Sequence, residues 1–408
     1  MTATAVKLQP FIDAGTHPES YYDKLLPPIS AQLRRWLLST IRKETKLLAN
    51  IQNSLRHPLL DSFFIYTAIL GTHTFFVIFL PMLFWFGYGP LARSLTLITT
   101  SGVFFTGFLK DMLCLPRPSS PPIRRLCIGS HHLEYGFPST HTTNAVSIAL
   151  YLLTHIYAIE SNTMLKVVGT ACVIIYCLSI MIGRIYCGMH SLTDVLAGSI
   201  LAILIWWIHW SFQIHIDAFI LNKSWNVPII VIAVGISLVY IFPESIDHCP
   251  CIEDSIACIG AAIGMIIGSW NFSNSRFSNN GNVPYDYNST GLVITVSRVI
   301  FGLMVVFIWR ISMKKILLAV LSPIYKAFNL IYQDTFIIKK IINDRYPLST
   351  SPTGVTRRSR NKYSKSNELN KNFVILPIDL TIKLIVYTGI GWLVVDMIPV
   401  LFEVFGIG

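Results

Sequence analysis

"SLTLITTSGVFFTGFLKDMLCLPRP" (residues 94–118) is the stretch on which the fold turns. Residues 94–109 hold no Asp, Glu, Lys or Arg, and then Lys110, Asp111, Arg117 and Pro118 follow in one short segment. An uncharged apolar run of this kind reads as a membrane-spanning helix, which needs about 20 apolar residues to cross the hydrocarbon core. Pro118 is expected to stop that helix. The cations at its end then need a reason.

The rest of the chain repeats the pattern. Of 408 residues, 53% are hydrophobic and 13% charged, with a mean hydropathy of +0.57. A soluble protein carries about 25% charged residues, so that class is excluded. Charge-free runs also cover 62–92, 142–159, 167–183, 195–216, 224–243 and 255–275. Further spans are expected over 290–309, interrupted by Arg298, and near 384–402. The fold expected is an all-α polytopic membrane protein with about eight to nine spans. The start, "MTATAVKLQPFIDAG", lacks the basic-then-apolar pattern of a cleaved signal peptide, so the first span is expected to serve as a signal anchor.

Composition divides the chain into three regions. Residues 1–60 are polar and basic, and 31–52 are expected to form an amphipathic helix. Leu33, Trp36, Leu37, Ile41, Leu48 and Ile51 share one face, which suits either a helix lying on anionic lipid or one packed on the protein. Residues 61–245 hold six closely spaced spans. Residues 246–408 mix spans with a polar loop, 344–372, expected to be disordered. The net charge of +11 sits mostly in such segments, and no nucleic-acid-reading aromatics accompany it. The eight cysteines form no framework. Cys249 and Cys251, in "DHCPCIEDS", are read as ordinary loop cysteines, because a C-x-C pair does not readily close on itself and His248 makes a poor third metal ligand.

Polar residues gather at the ends of particular spans. The second span ends in Lys110 and Arg117, the third begins with Pro138, Ser139, Thr140 and His141, and the fourth ends in "IGRIYCGMHSLTDVLAG" with Arg184, His190 and Asp194. Two crossings separate the 110–141 and 184–194 loops, which puts both on one membrane face. Each residue has a plainer role. Lys110 and Arg117 could snorkel, Ser139 could cap a helix, His190 and Asp194 could pair at i and i+4, and Arg184 could be a loop charge. A phosphate-monoester site explains them together. Three cations balance a dianionic phosphate without metal, and arginine forks hold its oxygens bidentately. A helix starting near Ser139 adds its hydroxyl and free backbone N–H groups, that of Thr140 among them. Asp194 can orient His190, whose free nitrogen attacks phosphorus, while His141 protonates the departing alkoxide. The expected reaction is a two-step hydrolysis through a phosphohistidine.

This three-part pattern resembles the signature of the type 2 phosphatidic acid phosphatase superfamily: Lys110-x6-Arg117-Pro118, Pro138-Ser139-Thr140-His141 and Arg184-x5-His190-x3-Asp194. The resemblance covers about residues 60–245 and implies a six-helix phosphatase core followed by additional C-terminal spans. Two positions depart from it: Thr140 stands where the family usually has Gly, and Gly183 where it usually has Ser. "YGFPSTHTTNA" looks most like the fungal long-chain-base phosphate phosphatases. That implies an endoplasmic reticulum enzyme acting on dihydrosphingosine- and phytosphingosine-type phosphates with no metal or other cofactor.

Two other functions share parts of this pattern. A phosphotransferase would use the same nucleophile and pass the phosphoryl group to an alcohol. A lipid carrier finds its footing in Arg298, a charge within an apolar run. Arg298 is expected to face the bundle interior, partnered by Asp396. Positive-inside counting places the basic N-terminus, and the site with it, in the cytosol. The resemblance implies the lumen, which is the expectation adopted. Glycosylation patterns occur at Asn222, Asn271 and Asn288.

Overall fold

Prolines and small polar residues set the helix starts in this chain. A computed structural model describes residues 13–127, 133–159, 162–247, 249–327 and 376–407. The 344–372 loop, His248 and most of the first fifteen residues lie outside them. Helices α1 (Glu19–Leu25) and α2 (Pro28–Leu55) begin after Pro18 and Pro27. Helix α3 (Pro58–Thr67) passes through a 3₁₀ turn, Ala68–Gly71, into α4 (His73–Trp85), which opens on the Thr72 hydroxyl. Helix α5 (Gly89–Leu113) ends before Cys114, whose φ of 50° is left-handed, so it stops short of Pro118. Then come α6 (Thr140–Ala158), α7 (Thr163–Tyr186), α8 (Leu192–Ile220), α9 (Asn226–Ile241), α10 (Cys251–Ser273) and α11 (Tyr287–Ala327). Helix α12 (Ile378–Trp392) continues through one π-helical turn, Leu393–Met397, into α13 (Ile398–Val404). The described residues contain no β-strand. The protein is an all-α polytopic membrane protein.

Five helices are long and apolar enough to cross a bilayer, or six if α3 and α4, bent by 55°, count as one span. The eight to nine expected exceed this. Helices α5 and α6 have the length but carry too many polar residues, and α9 has only 16 residues. Helix α5 packs against α6, α8 and α10, so protein rather than lipid covers much of it. Its buried Thr96, Thr99 and Thr106 hydroxyls donate to the carbonyls of Ala92, Leu95 and Gly102 at 2.6–2.7 Å. Bonded within the helix, they cost little to bury.

The C-terminal helices brace α5 from the far side. Helix α10 presents Gly260, Gly264 and Gly268 to α12 at a four-residue spacing. A Cβ on Gly264 would lie 1.9 Å from the Thr388 carbonyl oxygen, so only glycine permits this approach. Arg298 faces the interior, as expected, but its partner is not Asp396. Its guanidinium donates to the carbonyls of Ile407 and Trp85, while Asp396 accepts from the Asn271 amide at 2.7 Å. Carbonyls at the end of α4 and just past α13 reach Arg298 where the last-span carboxylate does not.

Two more expectations are corrected. Cys249 and Cys251 are joined as a disulfide. Cys249 N–H donates to Asp247 O at 2.9 Å, and the turn at Pro250 brings the two Cα atoms to 5.2 Å, within disulfide range. Helix α2 packs on the protein through a face rotated from the one expected: Leu37, Ile41 and Leu48 are buried as expected, but Leu33 and Trp36 are not, at 39% and 68% exposed. Arg34, Leu38 and Gln52 join the buried face. Arg34 is accommodated because it donates to Gly15 O at 2.8 Å and lies over the Tyr22 ring.

Candidate active site

The end of α5, the start of α6, the end of α7 and the start of α8 meet at one end of the bundle. Ser139 caps α6, its Oγ accepting from Thr142 N–H at 3.4 Å and from the Thr142 hydroxyl at 3.0 Å. Ser191 and Asp194 form a capping box at the start of α8, each side chain accepting from the other's backbone N–H. The two caps are tied together, for Ser139 N–H donates to Asp194 O at 3.1 Å. The loop between α7 and α8 closes on Arg184, whose carbonyl accepts from Met189 and His190 N–H.

His190 is buried at the centre of this junction. Its Nε2 lies 3.2 Å from Arg117 Nη1, and its Nδ1 lies 3.6 Å from Asp194 Oδ2. The latter pair faces each other at slightly more than hydrogen-bond length, since Asp194 Oδ2 is engaged by Ser191 N–H at 2.7 Å. Such contacts commonly tighten only when substrate is bound. Burial, then the charges of Arg117, Lys110 and Arg184, hold the His190 imidazole well below its ordinary protonation range, with Glu134 opposing them. A neutral, buried imidazole among three cations keeps a lone pair at physiological pH.

The cations are placed by short bonds. Arg117 Nη1 donates to Met189 O at 2.8 Å, and its Nε donates to Glu134 O at 3.1 Å. Lys110 Nζ donates to Thr140 Oγ1 at 3.0 Å and to the Glu134 carboxylate. Arg184 is buried nearby. His141, in the first turn of α6, lays its ring over Gly71; a Cβ there would stand 2.8 Å from His141 Cδ2. The structure thus draws Lys110, Arg117, Ser139, Thr140, His141, Arg184, His190 and Asp194 to one end of four helices.

The PAP2 superfamily description matches residues 91–216. A dihydrosphingosine 1-phosphate phosphatase of Schizosaccharomyces pombe is 36% identical over 91% of this chain and 90% of its own length. The chain belongs to the PAP2 superfamily. A dihydrosphingosine 1-phosphate phosphatase of Saccharomyces cerevisiae is 33% identical over 63% of this chain and 64% of its own. The human sphingosine-1-phosphate phosphatase 2 is 33% identical over 51% of each. No solved structure gives a significant match. This PAP2 protein is a hydrolase of the phosphatase class.

Both departures from the PAP2 pattern acquire a local meaning. The Thr140 hydroxyl, absent from glycine, accepts from Lys110 and so anchors the ammonium. At Gly183 a Cβ would lie 3.1 Å from the Phe64 ring, so this position faces an aromatic wall. Sequence reasoning missed Glu134, which bridges two of the cations. Its place four residues upstream of Pro138 in "EYGFPST" was the available signal: an acid beside an anion site. It also missed the bracing from α2, where Gln52 bonds Arg124 and Tyr186 and Glu44 bonds Thr193, next to Asp194. Among the described residues, one group of metal-type ligand atoms lies close together, Asp111 with Cys249 and Cys251, and its two sulfurs are bonded to each other.

Proposed function

We propose that this PAP2 phosphatase hydrolyses long-chain-base 1-phosphates, releasing dihydrosphingosine, phytosphingosine or sphingosine and inorganic phosphate. The observation that carries the chemistry is a buried, neutral His190 whose Nε2 faces Arg117. Similarity to proteins named as sphingoid-base phosphate phosphatases supplies the substrate class. Lys110, Arg117 and Arg184 hold the phosphate oxygens, helped by Ser139 and the backbone N–H of Thr140 at the start of α6. In the first step His190 Nε2 forms a bond to phosphorus as the ester P–O bond breaks, and His141 gives its proton to the leaving oxygen. In the second, His141 takes a proton from water, whose oxygen bonds to phosphorus as the P–N bond breaks. Asp194 faces Nδ1 and keeps that nitrogen the protonated one.

Residues 61–245 carry this chemistry, α2 braces it, and helices α10 to α13 support the bundle. Three fixed cations already balance a phosphate dianion, so the reaction proceeds without a metal. The site faces the lumen of the endoplasmic reticulum. The Cys249–Cys251 disulfide supports this side, because it lies at the site's end of the bundle and disulfides persist in oxidising compartments. Its loop is tied there by Asp247, which accepts from Gly15 N–H and Tyr22 OH. The test is phosphate release from dihydrosphingosine 1-phosphate by the purified, detergent-solubilised protein. Turnover should survive excess chelator and be inhibited by vanadate, a mimic of five-coordinate phosphorus. Turnover lost in chelator and restored by Mg²⁺ would overturn the charge argument.

A further inference from the structure

Helix α2 touches the ends of three other helices in turn. Leu37, Leu38 and Ile41 pack with Leu113 and Leu115 at the end of α5. Further along, Glu44 accepts from the Thr193 N–H and hydroxyl at the start of α8, and Gln52 donates to Tyr186 O at the end of α7. A helix with these contacts lies across the bundle, at the level where its helices leave the bilayer. Arg34, Arg35, Arg42, Lys43 and Lys46 keep it from being a span itself. At about 100° per residue its surface divides into three strips. Leu37, Leu38, Ile41 and Leu48 face the protein. Ile29, Leu33, Trp36 and Leu47 form an apolar stripe on one flank, and Ile29 is 82% exposed. Lys43 and Lys46, also exposed, lie beyond that stripe. Among the described residues Arg35 and Arg42 are paired with Asp23 and Glu19, whereas no ion pair engages Lys43 or Lys46.

The occupant of the stripe follows from what adjoins it. Helix α8 is long and apolar enough to cross the bilayer, and its Ala197 packs with the Leu37–Leu38–Ile41 cluster of α2. The neighbouring Leu196 and Ile200 are exposed, as the lipid-facing residues of a span are. The stripe on α2 therefore begins where the lipid-facing surface of α8 ends. An exposed apolar row bearing a tryptophan, with lysines on its outer side, has the chemistry of the boundary between acyl chains and headgroups. We infer that α2 is an interfacial helix: Ile29, Leu33, Trp36 and Leu47 enter the bilayer boundary, and Lys43 and Lys46 meet the phosphates of anionic lipids. The packed face of the same helix holds Thr193 and Tyr186, the chain neighbours of Asp194 and next but one to Arg184. Contact with lipid thus fixes the level of these loops against the headgroups.

The test places the photocrosslinker p-benzoylphenylalanine singly at Ile29, at Trp36 and, as a lipid-facing reference, at Ile200 of the full chain. The protein is reconstituted in vesicles of phosphatidylcholine with about one fifth phosphatidylserine, the anionic component. Mass spectrometry after irradiation should find lipid adducts at positions 29 and 36 in yields comparable with position 200. Lys43→Gln combined with Lys46→Gln should lower the ratio of phosphatidylserine to phosphatidylcholine adducts at position 36 by about 5-fold, the factor one basic residue supplies near an anionic surface. Both glutamines are exposed, so the packed face of α2 is untouched. Lipid adducts at position 200 but none at 29 or 36 would overturn the inference. So would a crosslink from position 36 to a second copy of the chain, which would make the stripe a protein interface. A ratio unaltered by the double substitution would overturn the headgroup contact.

Discussion

Arg117 Nη1 stands 3.2 Å from His190 Nε2, so burial first, and then the guanidinium proposed to hold the phosphate, suppress protonation of the proposed nucleophile. Protonation of His190 is disfavoured in the folded state, so below about pH 6.5 the unfolded chain binds the extra proton and stability rises with pH. The His190 contribution is fully present above that value and is lost as pH falls beneath it. Thermal midpoints of the ligand-free protein, followed from about pH 7.5 down to about pH 5, should drop more steeply for wild type than for His190→Gln. Parallel profiles would show that His190 is not held neutral. For the same reason the acid limb of kcat/KM should lie well below the ordinary imidazole range.

His141 and His190 are separable by leaving group. His141→Ala should lower turnover of a sphingoid phosphate by roughly 10²–10⁴-fold, because a poor alkoxide leaving group needs the proton. An aryl phosphate does not, so the variant should release a burst of aryl alcohol and accumulate phosphate on His190. His190→Ala should do neither. Equal, unrecoverable loss in both variants with the aryl substrate would mean that His141 is not the acid.

Gly71 sets the position of the His141 ring. A methyl group placed there would stand 2.8 Å from Cδ2, closer than real contacts allow, and the ring must shift. Gly71→Ala should lower kcat by about 10- to 100-fold on sphingoid phosphates, the usual effect of misplacing a catalytic group by about an ångström. KM should hardly change, and the aryl substrate should be spared in the first step. A rise in KM with kcat intact would place Gly71 in binding instead.

Gly264 serves the bundle, not the chemistry. A side chain there meets the Thr388 backbone and must part α10 from α12. Gly264→Val should cost about 1–3 kcal/mol, the range for overpacking, seen as a lower thermal midpoint in detergent. An unchanged midpoint would show that this helix pair tolerates a wider separation.

Orientation has a simple readout. Asn222 follows the end of α8 and Asn288 lies at the start of α11, both at the end of the bundle away from His190, while Asn271 is bonded to Asp396. With the site in the lumen, Asn222 and Asn288 face the cytosol and stay unmodified. Glycosidase treatment should leave the protein's gel mobility unchanged, and an N-terminal tag should be protected from protease in sealed microsomes. A glycosidase-sensitive shift at either asparagine would reverse the orientation.

The sequence alone determined the all-α membrane class and which polar residues gather at the proposed phosphate site. Charge-free runs register one residue at a time, and Lys110, Arg117, Ser139, His141, Arg184, His190 and Asp194 sit at helix ends whose order along the chain already puts them on one face. Position in sequence was sufficient because the helices are rigid and cross in alternation. Only the tertiary structure decided which polar groups meet. It gave Thr140 to Lys110, Glu134 to both Lys110 and Arg117, the Ile407 and Trp85 carbonyls rather than Asp396 to Arg298, and Gly71 the place beneath the His141 ring. It also turned α2 so that Arg34 is buried and Trp36 exposed. Those outcomes depend on the rotation of each helix and on distances of a few ångströms between segments far apart in the chain. Periodicity does not encode them, because every helix offers several faces and packing selects one.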